Sequence, residues 1–286
     1  MAEILIGMLS VFVGAAINNL GIVLQKRQIN LKEGKGQGDG ALTLGDYLRD
    51  PIWVLGIIMQ TLLVWPFFVF GLSLVGVTLA QPLSNSGIII LIVGLIYFVN
   101  ERLNRSEGFG AILLISGVIA IGVGGVVGEV SQQSFLNETS ILYFLWFLVL
   151  IVILLVALII LMIFVRVSRP AILGLVAGIC YAVVSISMQV FTIALEDLTS
   201  LLTLLLFAFG LTGTVIGTVF GILTTQEAFK QNRAVSVIPF MQITMNLIPI
   251  LAGIWVFNQQ ITQPLFFWTG IICIMTGASL LARFQE

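Results

Sequence analysis

The segment 141–165 constrains the fold of this chain more than any other feature of its sequence. It reads ILYFLWFLVLIVILLVALIILMIFV and contains no charged or amide side chain. A helix needs about 20 apolar residues to cross the hydrocarbon core of a bilayer, so this segment predicts a membrane-spanning helix. Similar runs recur along the chain, and only 9% of its residues are charged. An ordinary soluble domain has about 25% charged residues, so the composition excludes that class.

Nine such spans fit the 286 residues and predict an all-α integral membrane protein. They lie at about 3–24, 53–74, 78–99, 107–127, 141–165, 171–194, 201–224, 235–257 and 265–282. All 12 basic residues fall in the odd-numbered connections or after the last span. Because cytoplasmic connections are enriched in lysine and arginine, we expect the N-terminus outside and the C-terminus in the cytoplasm, in the plasma membrane or an endomembrane. The NET sequon at Asn137 then lies outside, and its glycosylation stays open.

Residue types that the chain lacks narrow its function further. It has no histidine, and its two cysteines, Cys180 and Cys273, lie within apolar runs, so no disulfide framework is expected. A net charge of −1 provides no basic field for nucleic acid. The sequence has no catalytic constellation and no nucleotide-binding motif. We therefore predict neither an enzyme nor a bound cofactor.

A weak internal repeat relates the two halves of the chain. The matched positions are Gly7 and Gly174, Asn18 and Ser185, Pro82 and Pro239, Asn85 and Gln242, Gly110 and Gly270, and Gly117 and Gly277. The first repeat covers 1–128, with a cytoplasmic loop at 25–52, and the second covers 170–286. The linker 129–169 adds one span between them, so the two four-helix units run in opposite directions through the membrane. Such inverted repeats are typical of secondary transporters.

Several motifs resemble the drug/metabolite transporter superfamily. A proline-containing third span is followed by NERLN at 100–104 and by a glycine-rich fourth span. Within that superfamily the chain is most similar to the NIPA branch of magnesium transporters, in LQK after span one, YLRD before span two, VTLAQPL, and AFKQNRAVSVIP at 228–239. The resemblance implies a nine-span secondary transporter of Mg²⁺ or another divalent cation. The chain departs from animal members of the branch in span two, MQTLLVWPFFVFG, which has no acidic residue.

Amide and hydroxyl side chains within the spans are the candidate substrate-binding groups. They are Asn18, Asn19, Gln81, Asn85, Ser86, Ser185, Gln189, Gln242, Thr244 and Asn246. Pro82 and Pro239 are candidate hinges, because proline has no N–H and perturbs the surrounding helix. No predicted span carries a charge at its middle, which disfavours a carboxylate proton relay. Neutral oxygens suit a hydrated Mg²⁺ ion, which keeps several waters, and equally a neutral or zwitterionic metabolite.

The leading hypothesis is therefore an alternating-access transporter of Mg²⁺ or another divalent cation. An exporter of small metabolites, amino acids or drugs is the alternative within the superfamily. A non-transporting scaffold or lipid-handling protein is the alternative from another class, because polar side chains also hydrogen-bond neighbouring membrane helices. Membrane lipids are expected partners, and glycine ladders permit a homodimer. The metal ligands, direction of transport, coupling ion and oligomeric state are left open by the sequence.

Overall fold

The computed structural model describes residues 2–33, 49–94, 97–98, 105–127, 130–164, 169–231 and 234–281. These residues are almost entirely helical, as expected for an all-α membrane protein. The helices are α1 (Ala2–Glu33), α2 (Pro51–Ile58), α3 (Val64–Ser84), α4 (Ile88–Gly94), α5 (Arg105–Gly124), α6 (Gln132–Phe135), α7 (Glu138–Phe164), α8 (Arg169–Ala194), α9 (Leu201–Gln231), α10 (Ala234–Trp255) and α11 (Pro264–Leu281). The two-residue strands are β1 (Val126–Val127) and β2 (Gln260–Ile261).

Five described helical segments are long and apolar enough to cross a membrane. They are Glu3–Gln25, Pro51–Gly87, Glu138–Phe164, Ala171–Ala194 and Leu201–Thr225. Three shorter apolar helices are Gly108–Gly124, Ile243–Trp255 and Pro264–Gly277. Together they make the protein membrane-embedded. Two predicted spans end too early: α1 continues to Glu33, so the loop predicted at 25–52 begins as helix, and α9 continues to Gln231 instead of ending at 224. The glutamine, lysine and arginine residues that begin this predicted loop are good helix formers, so α1 extends beyond its apolar run.

The segment Pro51–Gly87 reverses direction at Gly76, although helical hydrogen bonding continues on both sides. Gly76 has φ 65° and ψ 172°, a conformation that glycine adopts without steric cost. Before this residue, the close contacts with α1 are Gly7 with Val75, Gly14 with Phe67 and Gly21 with Gly56. After it, they are Gly87 with Ala15 and Gly94 with Val23. The chain thus runs antiparallel to α1 up to Gly76 and parallel to α1 beyond it.

The second half repeats this arrangement around α8. The contacts of α8 with α9 are Tyr181 with Gly221, Val184 with Gly217 and Phe191 with Gly210, so these helices are antiparallel. Its contacts with α10 are Gly174 with Val237 and Gly178 with Thr244, so these helices are parallel. In both halves, therefore, the first long helix has one antiparallel and one parallel neighbour. Glycine permits the close approach of the backbones in each pair.

The two halves meet through two antiparallel helix pairs. Helix α5 packs on α11, where a β-carbon on Gly117 would lie 2.6 Å from the carbonyl oxygen of Gly270. The same pair continues with Gly124 against Phe267. The part of α3 after Gly76 packs on α10, with Thr78 against Gly253 and Asn85 against Asn246. Each pair joins the helices that the predicted repeat aligns, and each runs antiparallel.

Four connections meet at one end of the helices, which we call the Gly76 end. There β1 pairs antiparallel with β2, with Val126 opposite Ile261. The backbone N–H of Gln132 donates to the carboxylate of Glu196 at 2.7 Å. The side chain of Gln259 bonds to the backbone on both sides of Gly76. These contacts bring together the second, fourth, sixth and eighth predicted connections.

Helix α7 lies at the edge of the helices and buries a single stripe. Its buried side chains are Phe144, Phe147, Ile151 and Leu158, spaced by three, four and seven residues. Such spacing puts them on one helical face. Only 17% of the most apolar window of this helix is buried, so most of its apolar surface faces outward. This exposure suits contact with lipid, as the uniformly apolar sequence predicts.

Candidate functional site

A cavity of about 370 Å³ lies between the two halves, near the middle of α8 and α9. Its volume falls in the range of about 300–1,000 Å³ that is usual for small-molecule sites. The first half contributes the polar side chains of Asn18, Asn19, Gln60, Gln81, Ser84 and Asn85. The second half contributes those of Tyr181, Ser185, Thr214 and Thr218. None of the described side chains that line this central cavity carries a charge.

Two hydrogen bonds cross between the halves at the cavity wall. The hydroxyl of Ser185 donates to Oε1 of Gln81 at 2.5 Å, and also to the carbonyl oxygen of Tyr181 at 3.2 Å. Four residues after Gln81, just past the end of α3, Nδ2 of Asn85 donates to Oδ1 of Asn246 at 2.8 Å. Both bonds join groups that the sequence predicts as substrate-binding. The two halves thus share a hydrogen-bonded polar wall.

The structure brings five of the ten candidate residues to the cavity. These are Asn18, Asn19, Gln81, Asn85 and Ser185. The amide of Asn19 already makes one hydrogen bond, because its Nδ2 donates to the carbonyl oxygen of Ala15 at 2.8 Å. Asn246 lies behind the wall, bonded to Asn85.

Three other candidates lie away from the cavity lining. Ser86 is buried and donates to the carbonyl oxygen of Leu83 at 2.6 Å. Thr244 donates to the carbonyl oxygen of Leu175 at 3.0 Å and so links α10 to α8. Gln189 is fully buried beyond the cavity. The side chains of Gln242 and Pro239 are outside what the structure describes. The linear pattern could not separate these groups because each lies on a polar stripe of its helix.

Pro82 is buried within α3, which continues through it to Ser84 and then passes into a 3-10 turn at Asn85–Gly87. Having no N–H, it leaves the carbonyl of Thr78, four residues earlier, without its usual helical donor. The sharp break in this region lies instead at Gly76, six residues before the proline. Gly76 is therefore a better candidate for the hinge than Pro82. The predicted spans 53–74 and 78–99 leave Gly76 in the short connection between them, where the structure has the break.

Several cavity residues were not predicted. Gln60 enters from the π-helical turn Met59–Leu63, where its Nε2 donates to the carbonyl oxygen of Gly56 at 3.3 Å. Such turns are frequent at functional sites. Aromatic side chains of Trp65, Phe68 and Tyr181 form another part of the wall. A polar side chain in the otherwise apolar span two was the available signal for Gln60.

Gln259 is the most informative residue that the sequence reasoning missed. Its Nε2 donates to the carbonyl oxygen of Val75 at 3.0 Å, and its Oε1 accepts from the backbone N–H of Thr78 at 3.2 Å. The amide therefore satisfies backbone groups that the break at Gly76 removes from helical bonding. Gln259 is 1% exposed. The signal was its place in VFNQQI, an amide-rich end of an apolar span.

The chemistry of the site is that of neutral hydrogen bonding. Among the described residues, no group of three or more histidine, cysteine, aspartate or glutamate side chains is arranged to hold a metal ion. The cavity offers amide and hydroxyl oxygens, amide N–H donors and aromatic faces. These groups can bind a solute through its hydrogen bonds or through waters that it retains. They do not form a carboxylate cage for a bare divalent ion.

A scan of the chain against protein-family models found no match, and comparisons with curated proteins and with solved structures found none either.

Proposed function

We propose that this protein is an integral membrane secondary transporter that works by alternating access. The central cavity carries the proposal, because its polar lining comes from both halves of the chain and lies at mid-helix depth. A scaffold gains little from polar groups gathered around an open volume at that depth, since intramembrane polar groups are costly unless they are paired. A transporter needs such a volume to hold a polar solute midway across the bilayer.

The contacts between helices support two inverted repeats. Dividing Pro51–Gly87 at Gly76 gives nine apolar helical segments among the described residues, the number that the sequence predicts as spans. The aligned pairs α5 with α11 and α3 with α10 both pack antiparallel, as inversion requires. The even-numbered connections gather at the Gly76 end, and all 12 basic residues lie elsewhere in the sequence. On the positive-inside rule, the Gly76 end and the N-terminus face outside.

A hydrated divalent cation, with Mg²⁺ first, is our leading substrate. The resemblance to magnesium transporters suggests it, and the chemistry of the cavity permits it. Mg²⁺ dehydrates reluctantly, so it is commonly bound with several waters in place. Each water occupies about 30 Å³ in the liquid, and the cavity of about 370 Å³ has room for an ion with its first shell. Amide and hydroxyl oxygens such as those of Gln81 and Asn18 would accept hydrogen bonds from that shell.

A small neutral or zwitterionic metabolite is the second candidate, and the aromatic wall favours it. Trp65, Phe68 and Tyr181 offer apolar and π surface that a fully hydrated ion does not use. An organic solute would pack on these rings and satisfy the amides with its own donors and acceptors. An ammonium group would gain further from the ring faces.

The decisive experiment is flux into liposomes loaded with a magnesium-sensitive dye. We expect the parent protein to admit Mg²⁺ and Ser185→Ala to slow it, because the variant removes the donor to Gln81. Thr212→Val is the matched control, because its exposed hydroxyl donates only within its own helix, to Ala208 and Phe209.

The outcomes separate the candidates. Saturable uptake of an amino acid or amine without Mg²⁺ flux would replace the leading substrate by the second. Equal flux from Ser185→Ala and the parent would remove the Gln81–Ser185 wall from the pathway. Failure to transport any of these solutes would favour the scaffold reading.

A further inference from the structure

Two fully buried side chains near the central cavity have polar atoms without a hydrogen-bond partner among the described residues. Both amide atoms of Gln189 are in this position, and so is the hydroxyl oxygen of Thr78. Each residue is 0% exposed. Buried amides and hydroxyls in native proteins nearly always find a partner in protein or ordered water. A pair of such groups therefore points to a ligand site.

The hydrogen bond between Ser185 and Gln81 fixes the positions of Thr78 and Gln189 relative to one another. The part of α3 after Gly76 is antiparallel to α10, and α10 is parallel to α8, so that part of α3 is antiparallel to α8. Thr78 lies three residues before Gln81, and Gln189 lies four residues after Ser185. Residues three and four apart share a helical face. Thr78 and Gln189 therefore both lie about one helical turn from the Gln81–Ser185 bond, on the side of the Gly76 end.

Helix α10 packs beside α3 and α8 at the level of Thr78 and Gln189. The backbone of Gly253 lies so close to the Thr78 hydroxyl that a β-carbon there would overlap it. Along α8, Gly174 contacts Val237 and Phe240, and Gly178 contacts Met241 and Thr244. Continuing that register brings Gln189 to the level of Gly253. Three helices therefore converge on the unpartnered groups, between the central cavity and the Gly76 end.

Gln259 seals this level from the Gly76 end. Its amide bonds to the backbone of both Val75 and Thr78, and it lies beside Gly253. A β-carbon on Gly76 would overlap the Gln259 amide, so the side chain sits directly on the break. Releasing the two hydrogen bonds would free the start of the α3 segment that carries Thr78. We call this contact the Gln259 latch.

We propose that Thr78 and Gln189 form an outer subsite that the Gln259 latch seals in this conformation. Its ligand is an O–H group, which donates to Oε1 of Gln189 and accepts from its Nε2. The O–H group belongs either to a water in the shell of a hydrated cation or to a hydroxyl of an organic solute. This inference rests on the proposed transport function. The subsite lies on the route between the central cavity and the Gly76 end, and it opens when the latch releases.

Thiol accessibility tests the proposal without measuring transport. Gln189→Cys is made in a Cys180→Ala/Cys273→Ser background and exposed, in intact cells, to a membrane-impermeant methanethiosulfonate. Thr199→Cys, at an exposed position of the Gly76 end, is the positive control for access from that side. We expect slow labelling of Gln189→Cys and an increase of about tenfold or more when Gln259→Ala is added, because two hydrogen bonds are lost. Gln260→Ala, an exposed neighbour, is the matched control.

A second variant guards against misfolding. Thr78→Cys probes the opposite wall of the subsite and is labelled in parallel, and each variant is required to match its parent in elution and helix content. Labelling that stays unchanged with Gln259→Ala at both positions, while Thr199→Cys reacts, would overturn the proposal. Accessibility that rises in a protein without any flux would leave the subsite standing and overturn the transport proposal instead.

Protection identifies the source of the O–H group. Labelling of Thr78→Cys, which keeps the Gln189 amide, is repeated in the Gln259→Ala protein with magnesium chloride and, separately, with sorbitol. Slower labelling with Mg²⁺ alone indicates a hydrated cation, and slower labelling with sorbitol alone indicates an organic hydroxyl. Protection by neither probe would overturn the ligand assignment.

Discussion

Nδ2 of Asn85 donates a buried hydrogen bond of 2.8 Å to Oδ1 of Asn246, and this bond joins the two halves of the chain at the wall of the central cavity. Asn85 also lines the cavity, whereas Asn246 lies behind it. The pair thus combines a packing role with a place beside the proposed solute. Stability and transport measurements can separate the two roles.

Breaking this pair by Asn85→Ala is expected to lower stability. A double-mutant cycle with Asn246→Ala should give a coupling energy of about 0.5–1.5 kcal/mol, the range expected for a hydrogen bond between membrane helices. Thermal unfolding in detergent measures it, with Thr212→Ala as a lipid-facing control. A coupling of zero would show that the two amides do not depend on one another.

Gly76→Ala should destabilise the protein by about 1–3 kcal/mol, because an alanine is strained at positive φ. The added β-carbon would also overlap the amide of Gln259 and break its bonds to Val75 and Thr78. The check is the shift in thermal midpoint relative to Gly122→Ala, whose new β-carbon would meet, among the described atoms, only the end of Met8 at 3.4 Å. Equal stability of the two variants would contradict the tight reversal at Gly76.

Gly117→Val should separate α5 from α11. A β-carbon on Gly117 would lie 2.6 Å from the carbonyl oxygen of Gly270 and 2.7 Å from the side chain of Ile274. Overpacking of this kind costs about 1–3 kcal/mol. Thermal unfolding should report it, while Gly108→Val, whose β-carbon would meet no described atom within 4 Å, stays near the parent value. A tolerated Gly117→Val would argue against close packing of the two halves here.

Transport should be nearly independent of pH between about 5.5 and 8. The chain has no histidine, and no carboxylate is among the described residues that line the cavity. Initial flux at fixed solute gradient, measured across the window, is the test. A tenfold change in flux would contradict this prediction and indicate a titrating group away from the described cavity lining.

Much of the fold followed from patterns that a linear sequence records directly. The apolar run at 141–165 became α7, and the spans at 171–194 and 265–282 agree closely with α8 and α11. Hydrophobic length is a local property, so it is readable without partners. Local propensity also explains the misplaced end of span one, because α1 continues through helix-forming polar residues to Glu33.

The site was only partly predictable, because amide and hydroxyl residues serve several roles. Gln81 and Ser185 are hydrogen-bonded at the cavity wall, whereas the hydroxyls of Ser86 and Thr244 donate to backbone carbonyls. The sequence places all four on membrane helices with the same chemistry. Rotation of each helix and the register between helices decide which partner each finds. Those quantities depend on the packing of the whole chain.

The sequence by itself determined that the chain is a helical membrane protein whose predicted spans carry no charge at their middles, since hydrophobic length and residue type are local properties of the sequence. Tertiary structure alone decided that Gln259 bonds across Gly76 and that Gln189 lies buried beyond the cavity. Gln259 lies 181 residues from Thr78, its hydrogen-bond partner. No local pattern encodes such a meeting, because it arises only when the two halves pack against each other.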